Sequence, residues 1–508
     1  DTVWSLAPSP DGRYLLTGGG DMTLEVWSLR SYELLVSLFV ARDEWIAWTP
    51  QGYYAASIAG EGLMGWHVNR GADRLADFYP AAQFRDQFYR PDVIRRVLET
   101  GETALALAAA DESRPQASRP LTIAAALPPD VQAKLLSPSE ISPGGLTSAG
   151  RVSLSATTGP RGSEPIVGLQ LIVDGRPGEF RQAAIEQPDD RPAPMIESFA
   201  ASWDVQLSPG KHRLVVQAQT RASFQLSQPI EVELPGAAPR PNLYLLAIAA
   251  DADAQSLAQR LALDRGNQFG QVAARILSGS QVTAESIARE LKWLRENARP
   301  EDVVILFHSG AVTADDHDQL QFFGPAVANS PATASRTAPG SQAHVLSGDE
   351  LKASLRATRG RVFFWTDARW ASAPSAAQSS EARPQVAQVH DDCCGSAGSA
   401  VSSGAPHRWS RALDDLLRAL ARPEIGVVAV ASATGREMPQ LNVQGHGLLA
   451  GALVDGLAGA ADRNGDGQIV WAELREFLST TIASRSAGRQ HPAIATPALL
   501  PPTTLGRP

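Results

Sequence analysis

The chain reads as a multidomain protein that begins in β-repeat structure, passes through a β-sandwich and ends in an α/β domain. Three observations carry that reading. Its 508 residues exceed what one core organises and imply roughly three or four domains. Short alternating strands punctuated by Pro, Gly and Ser fill residues 101 to 240. Beyond them, buried apolar runs of five to seven residues alternate with helical patterns, the rhythm of a sheet covered on both faces.

The first segment is Val3-Trp4-Ser5-Leu6-Ala7-Pro8, a Ser9-Pro10-Asp11-Gly12 turn, then Arg13-Tyr14-Leu15-Leu16-Thr17-Gly18-Gly19 and Leu24-Glu25-Val26-Trp27. Strand, turn and strand in this order resemble one WD40 repeat, with Trp27-Ser28 where the repeat has Trp-Asp. A blade shares its core with neighbours, so the resemblance implies the end of a propeller over residues 1–70, with the chain's start at Asp1 falling inside a repeat and any leader out of view. Trp45 to Ser57 and Gly65 to Arg70 are aromatic-rich and strand-like. Gln83 to Asp92 leads into a short helix, and residues 71–118 are expected to link the domains. The aromatics lack a charged cluster and read as a structural clamp.

Residues 119–238 are expected to form an immunoglobulin-like β-sandwich, on pattern alone. Leu169 to Val173 is a strand meeting an Asp174-Gly175 turn. Ser202 to Leu207 and His212 to Ala218, joined through Pro209-Gly210, form a hairpin candidate.

The α/β domain, 239–508, carries the chemistry. Arg361-Val362-Phe363-Phe364-Trp365-Thr366-Asp367-Ala368-Arg369-Trp370 is an apolar run that stops at an Asp and opens into small residues, a strand delivering side chains to the rim of a sheet. It resembles the caspase-like peptidases (orthocaspase and metacaspase type), whose motif here is an apolar strand followed by Leu-Asp-x-Cys-His-Ser-Gly. Asp367 matches, and Arg369 stands at the cysteine. Asp302-Val303-Val304-Ile305-Leu306-Phe307-His308-Ser309-Gly310-Ala311 is similar to the family's other catalytic strand, ending Phe-x-Ala-Gly-His-Gly, and Ala311 stands at the histidine. Further likeness covers residues 240–500: Leu243 to Ala249, Thr283 to Leu294, Val427 to Glu437 and Gly445-His446-Gly447-Leu448-Leu449. Near the first helix the family's Tyr and Asn-Asp-Ala are replaced by Asp251-Ala252-Asp253-Ala254-Gln255.

The family's reaction requires an imidazole to draw a proton from a thiol, so that the thiolate attacks a peptide carbonyl. Alanine accepts no proton, and a guanidinium is permanently charged. The resemblance therefore implies a non-catalytic caspase-like protein that binds a protein partner through the propeller and the α/β domain, as scaffold or regulator. The rival reading is an active cysteine endopeptidase with a relocated nucleophile, Cys393 or Cys394, served by His308 or His317, which lie near the replaced histidine position. That Cys pair lies in an Ala, Ser and Gly-rich stretch, 373–406, which offers little pre-organisation. His308 is expected to be a satisfied or solvent-tipped histidine, and His446 structural.

A second signal lies at residues 462–473. Asp462, Asn464 and Asp466 occupy positions 1, 3 and 5, Gly467 follows at position 6, Gln468 can give its carbonyl, and Glu473 closes position 12. Hard cations take many oxygens, so the string fits an EF-hand Ca²⁺ loop, and a single unpaired loop binds weakly.

Net charge is −9 without a basic cluster, which argues against a nucleic-acid surface. No apolar stretch approaches the roughly 18 to 20 residues of a membrane span. Two adjacent cysteines cannot build a disulfide framework. A cytoplasmic protein without a membrane span is expected.

Overall fold

A computed structural model describes residues 2–42, 44–73, 75–112, 121–137, 150–183, 198–249, 251–314, 319–324, 346–370, 408–434, 437 and 447–507, with backbone alone at 251, 369, 370 and 408–410. Cys393, Cys394, His317 and His446 lie outside the described residues. The chain divides into two compact units, residues 1–240 with 421–428 and 494–501, and residues 241–420 with 429–493 and 502–508.

In the first unit, β1 (Val3–Pro8), β2 (Tyr14–Gly19), β3 (Thr23–Ser28), β4 (Leu34–Ala41), β5 (Glu44–Trp48) and β6 (Tyr54–Ala56) form one six-stranded sheet in sequence order. Every pair is antiparallel, so this is a meander built from tight turns. The Pro-Asp-Gly turn works as read: Gly12 takes φ 69°, and its N–H reaches the Ser9 carbonyl at 3.0 Å. The aromatic segment after Trp45 belongs to this same sheet. Among the described residues the sheet is single and closes no ring of blades.

The 71–118 stretch, expected to hold one short helix, contains β8 (Asp77–Pro80), which forms a ribbon with the preceding β7 (Gly65–Val68), then α1 (Arg85–Phe88), α2 (Pro91–Thr100) and α3 (Thr103–Asp111). Pro91 opens α2, where the missing N–H costs nothing, and Gly101 closes it at φ 75°. Val93, Val97, Ala106 and Ala110 share one core with Leu35, Ile46, Tyr54, Phe84 and Phe88. The aromatics are thus core, with Trp66 edge-on to Phe84 at 4.9 Å.

The middle region is a two-sheet sandwich. β9 (Asp130–Ser137), β10 (Arg151–Gly159) and β13 (Phe199–Gln206) form one sheet. The other contains β11 (Ile166–Val173), β12 (Arg176–Gln182), β14 (Gly210–Thr220), β15 (Phe224–Leu226) and β16 (Ile230–Leu234). Val152, Leu154 and Trp203 from the first sheet meet Leu169, Leu171, Leu214 and Val216 from the second. The Asp174-Gly175 turn has both residues at positive φ, 51° and 78°, and joins Val173 to Arg176 as a two-residue hairpin. The second hairpin expected here does not form. β13 pairs with β10 and β14 with β11, so the chain through Pro209-Gly210 crosses from one sheet to the other. Period-2 alternation presents the same inward residues in an arch as in a hairpin, which is why the pattern did not separate them.

The α/β region is organised by β17 (Leu243–Ile248), β18 (Val272–Leu277), β19 (Val303–Ala314), β20 (Leu320–Phe322), β21 (Leu346–Ser347), β22 (Arg361–Trp370), β23 (Val427–Ala431) and β25 (Ala493–Ala495), with the order β18-β17-β19-β22-β23-β25 along the main path of the sheet. β24 (Ile469–Val470) instead joins β26 (Thr504–Gly506) in a separate ribbon. The pairs β17–β18, β17–β19 and β19–β22 are parallel. Helices α4 (Asp251–Ala262), α5 (Ala284–Asn297), α6 (Gly348–Ala357), α7 (Arg408–Leu420), α8 (Leu448–Asp455) and α9 (Trp471–Arg485) accompany the sheet. Thr283 and Ser347 cap α5 and α6, each accepting the N–H three residues on.

Central strands buried on both faces read as continuous apolar runs. Val362, Phe363, Phe364 and Trp365 are all at most 1 % exposed. At roughly 1.5–3 kcal/mol for each such side chain, this strand pins the register of the sheet. Among the described residues no helix is long and apolar enough to cross a membrane.

Candidate functional site

The carboxyl ends of the parallel strands bring Ala311 and Arg369 together. β19 and β22 pair as His308 with Thr366, Ser309 with Asp367, Gly310 with Ala368, Ala311 with Arg369 and Val312 with Trp370. Ala311 and Arg369, 58 residues apart in sequence, are therefore backbone partners on neighbouring strands. Arg369 is the last residue but one of β22, which runs to Trp370. The strand reaches this far because β19 runs equally far, to Ala314, supported by its antiparallel partner β20.

His308 lies three residues before Ala311 and is only 3 % exposed. Its Nε2 lies 2.9 Å from the Phe323 carbonyl, which can only accept, so this nitrogen carries the proton. Nδ1 then accepts from the Thr366 hydroxyl at 3.0 Å. The Phe322 ring stands edge-on at 5.1 Å. Burial pushes the imidazole down to about 4, against a weaker opposing effect of the Phe323 carbonyl. Both nitrogens are committed and the ring is neutral at ordinary pH. The expectation of a satisfied histidine is met, and a solvent-tipped one is not.

Asp367 is 3 % exposed and sits directly against Gly447, where a Cβ would collide with the carboxylate. The glycine that opens α8 is thus required by close approach and not by its φ of −65°. Beside it, Ser432 donates its N–H to the Thr366 carbonyl at 2.9 Å, and its own carbonyl accepts from Gln490 Nε2 at 2.6 Å. A further pair was not singled out in the sequence. Glu437 receives the His491 backbone N–H and the His491 Nδ1–H, each at 2.6 Å. The two residues are 54 apart, and no local spacing rule relates them.

The 462–473 loop is built as its composition demands. Gly465 and Gly467 both adopt φ 72°. Asp462 accepts the Gly465 and Gly467 N–H groups at 2.8 and 3.0 Å, Asn464 accepts Asp466 N–H at 2.8 Å, and Asp466 accepts Gln468 N–H at 2.8 Å. Glu473 accepts the Val470 N–H at 3.2 Å at the start of α9, and the Gln468 side-chain carbonyl accepts from Thr504 at 3.4 Å. The donor set is all oxygen, the chemistry a hard cation takes. Among the described residues no group of three or more His, Cys, Asp or Glu side chains is arranged to hold a metal ion.

No family model matches the chain, and no curated protein matches it. Among solved structures it is similar to protein GSU0716 from Geobacter sulfurreducens, at 15 % identity over 53 % of this chain and 94 % of that one, with a TM-score of 0.30. It is also similar to the putative ApaA protein from Bordetella pertussis, at 13 % identity over 22 % of this chain and 98 % of that one, with a TM-score of 0.14. Likeness this loose assigns neither fold family nor activity.

Proposed function

We propose that the chain is a non-catalytic caspase-like protein, a scaffold or regulator that binds a protein partner. The observation that carries this reading is the register pairing of Ala311 with Arg369 at the carboxyl ends of β19 and β22. If those positions correspond to the family's histidine and cysteine, neither residue can perform the proton transfer or the attack. His308 offers no substitute base, since its two nitrogens are held by Thr366 and Phe323. In the same proposal residues 1–70 are the end of a WD40 propeller, supported by the β1–β4 meander, and residues 119–238 an immunoglobulin-like sandwich, supported by the two packed sheets. The partner engages the propeller and the α/β domain, and the setting is cytoplasmic.

The direct test is turnover of peptide substrates together with labelling by a thiol-directed activity probe. The expected result is no cleavage, with and without Ca²⁺, and identical behaviour of Cys393→Ala/Cys394→Ala. Cleavage abolished by that double substitution would establish the relocated-nucleophile peptidase instead.

Calcium responsiveness is part of the proposal. Asp462, Asn464, Asp466, Gln468 and Glu473 would hold the ion, which supplies a divalent charge to a turn of carboxylates. Titration of Ca²⁺ into the full chain is expected to give binding heat with a Kd in the weak range of about 10⁻⁵–10⁻³ M, absent in Glu473→Ala. Equal heats from the two proteins would remove the metal from the account.

A further inference from the structure

Residues 503–507 are held by a groove made for them. β26 runs antiparallel to β24, pairing Thr504 with Val470 and Gly506 with Ile469, and the Trp471 N–H donates to the Thr503 carbonyl at 2.8 Å. Leu505 is fully buried and Thr503 is 2 % exposed. The far end is gripped through its backbone: Arg507 N–H donates to Asp264 Oδ1 at 2.9 Å, and Arg260 Nη2 donates to the Arg507 carbonyl at 2.6 Å. Arg260 and Asp264 are themselves a buried ion pair at 3.2 Å, exposed by 8 % and 2 % at their side chains, and Arg260 also bonds the Leu457 carbonyl. A Cβ on Gly506 would stand 3.1 Å from Asp264 Oδ2, so a side chain at that point would have to push the buried, ion-paired carboxylate aside by a few tenths of an ångström.

Burying an Arg–Asp pair costs free energy unless its remaining donors and acceptors are met. Here the backbone of 507 meets two of them. The groove walls come from α4 and Asp264 just beyond its end, from the segment following α8 and from the start of α9, positions that lie 30 or more residues away in sequence from the strand they hold. These are the features of strand recognition: backbone pairing for affinity, one apolar pocket and one glycine position for selectivity.

We propose that this groove is a strand-receptor site specific for an extended Thr-Leu-Gly-Arg sequence, filled here by the chain's own residues 504–507 and able to take the same segment from a second copy. The exchanged state keeps every contact described above and changes only which chain supplies the strand. The inference does not rest on the readings offered for the Ala311–Arg369 pair and the acidic loop, although the Thr504 hydroxyl also donates to Gln468 of that loop at 3.4 Å.

The test uses the full chain carrying Leu505→Asp, which expels its own segment by placing a carboxylate in the apolar pocket while leaving the groove intact. A fluorescent peptide of residues 502–508 is expected to bind this variant saturably and to bind wild type only in competition with the resident strand. The same peptide with Leu505→Asp is expected to bind at least about 30-fold more weakly, the loss of one buried leucine. Hydrogen exchange supplies the second measurement: amides 504 and 506 in wild type should exchange faster than those of β22. No peptide binding by a variant whose β19 and β22 amides remain protected would overturn the proposal. So would loss of that protection in Leu505→Asp, because the segment would then be part of the core and not a ligand.

Discussion

Exchanging Ala311→His together with Arg369→Cys, in a chain whose Cys393 and Cys394 are replaced by Ala, is expected to create a thiol that alkylates about 10-fold faster at pH 6 than the thiol of Arg369→Cys alone. The two positions are register partners on adjacent parallel strands, whose backbones run roughly 4.8 Å apart. An unpaired thiol has a pKa of about 8.5, and one paired with imidazole falls to roughly 3.5–7.5. A fall to about 6 raises the thiolate fraction at pH 6 by about 150-fold. The accompanying loss of nucleophilicity, about 13-fold for a Brønsted slope near 0.45, leaves the net gain of about 10-fold. Iodoacetamide kinetics between pH 5 and 8 read this directly. Superimposable profiles for the single and double exchanges would show that the two positions do not form a dyad geometry, and the reading of a lapsed active site would lose its main support.

Acidification is expected to loosen the β19–β22 core through His308. Its imidazole titrates near 6.5 in an unfolded chain and is pushed by burial down to about 4 in the fold. The folded-state value is depressed, so between those two values the unfolded chain binds more protons. The contribution is therefore fully present above about pH 6.5 and is lost progressively as pH falls toward 4. A difference of about 2.5 units corresponds to roughly 3 kcal/mol, an order-of-magnitude figure. Because several domains unfold separately, the measurement is amide-exchange protection within β19 and β22 at pH 7 and pH 4.5, corrected for intrinsic exchange. His308→Gln keeps polar groups facing Thr366 and Phe323 but has no charge to acquire, and between pH 7 and pH 4.5 it should flatten the pH dependence by about 2 kcal/mol, the part of that difference lost above the folded-state value. Parallel losses in wild type and variant would assign the acid sensitivity to carboxylates elsewhere.

Much of this architecture was legible in the chain. The run from Val362 to Trp365 is apolar without alternation, which marks a strand covered on both faces, and it lies at the centre of the sheet. Asp174-Gly175 between apolar runs specified a two-residue hairpin, since few residues other than Gly, Asn and Asp accept positive φ there. The spacing of Asp462, Asn464, Asp466 and Gly467 specified the turn that their side chains and backbone amides now form. In each case the information is local: covalent geometry or burial period restricts a few adjacent residues to one conformation.

Other features became definite only when distant segments met. The sequence placed β13 and β14 next to one another, yet their partners are β10 and β11, because sheet choice depends on which strands offer free edges and not on the alternation within either strand. His308 reads as one histidine among nine, and its proton is fixed only by a carbonyl 15 residues away and a hydroxyl 58 residues away. The strand at 504–506 is held by an ion pair more than 240 residues earlier, and the His491–Glu437 contact has no echo in local spacing. Sequence alone thus determined conformations set by steric limits and hydrophobic period; the tertiary structure decided pairing, protonation and recognition, because those are energies of contact between groups that the chain order does not bring together.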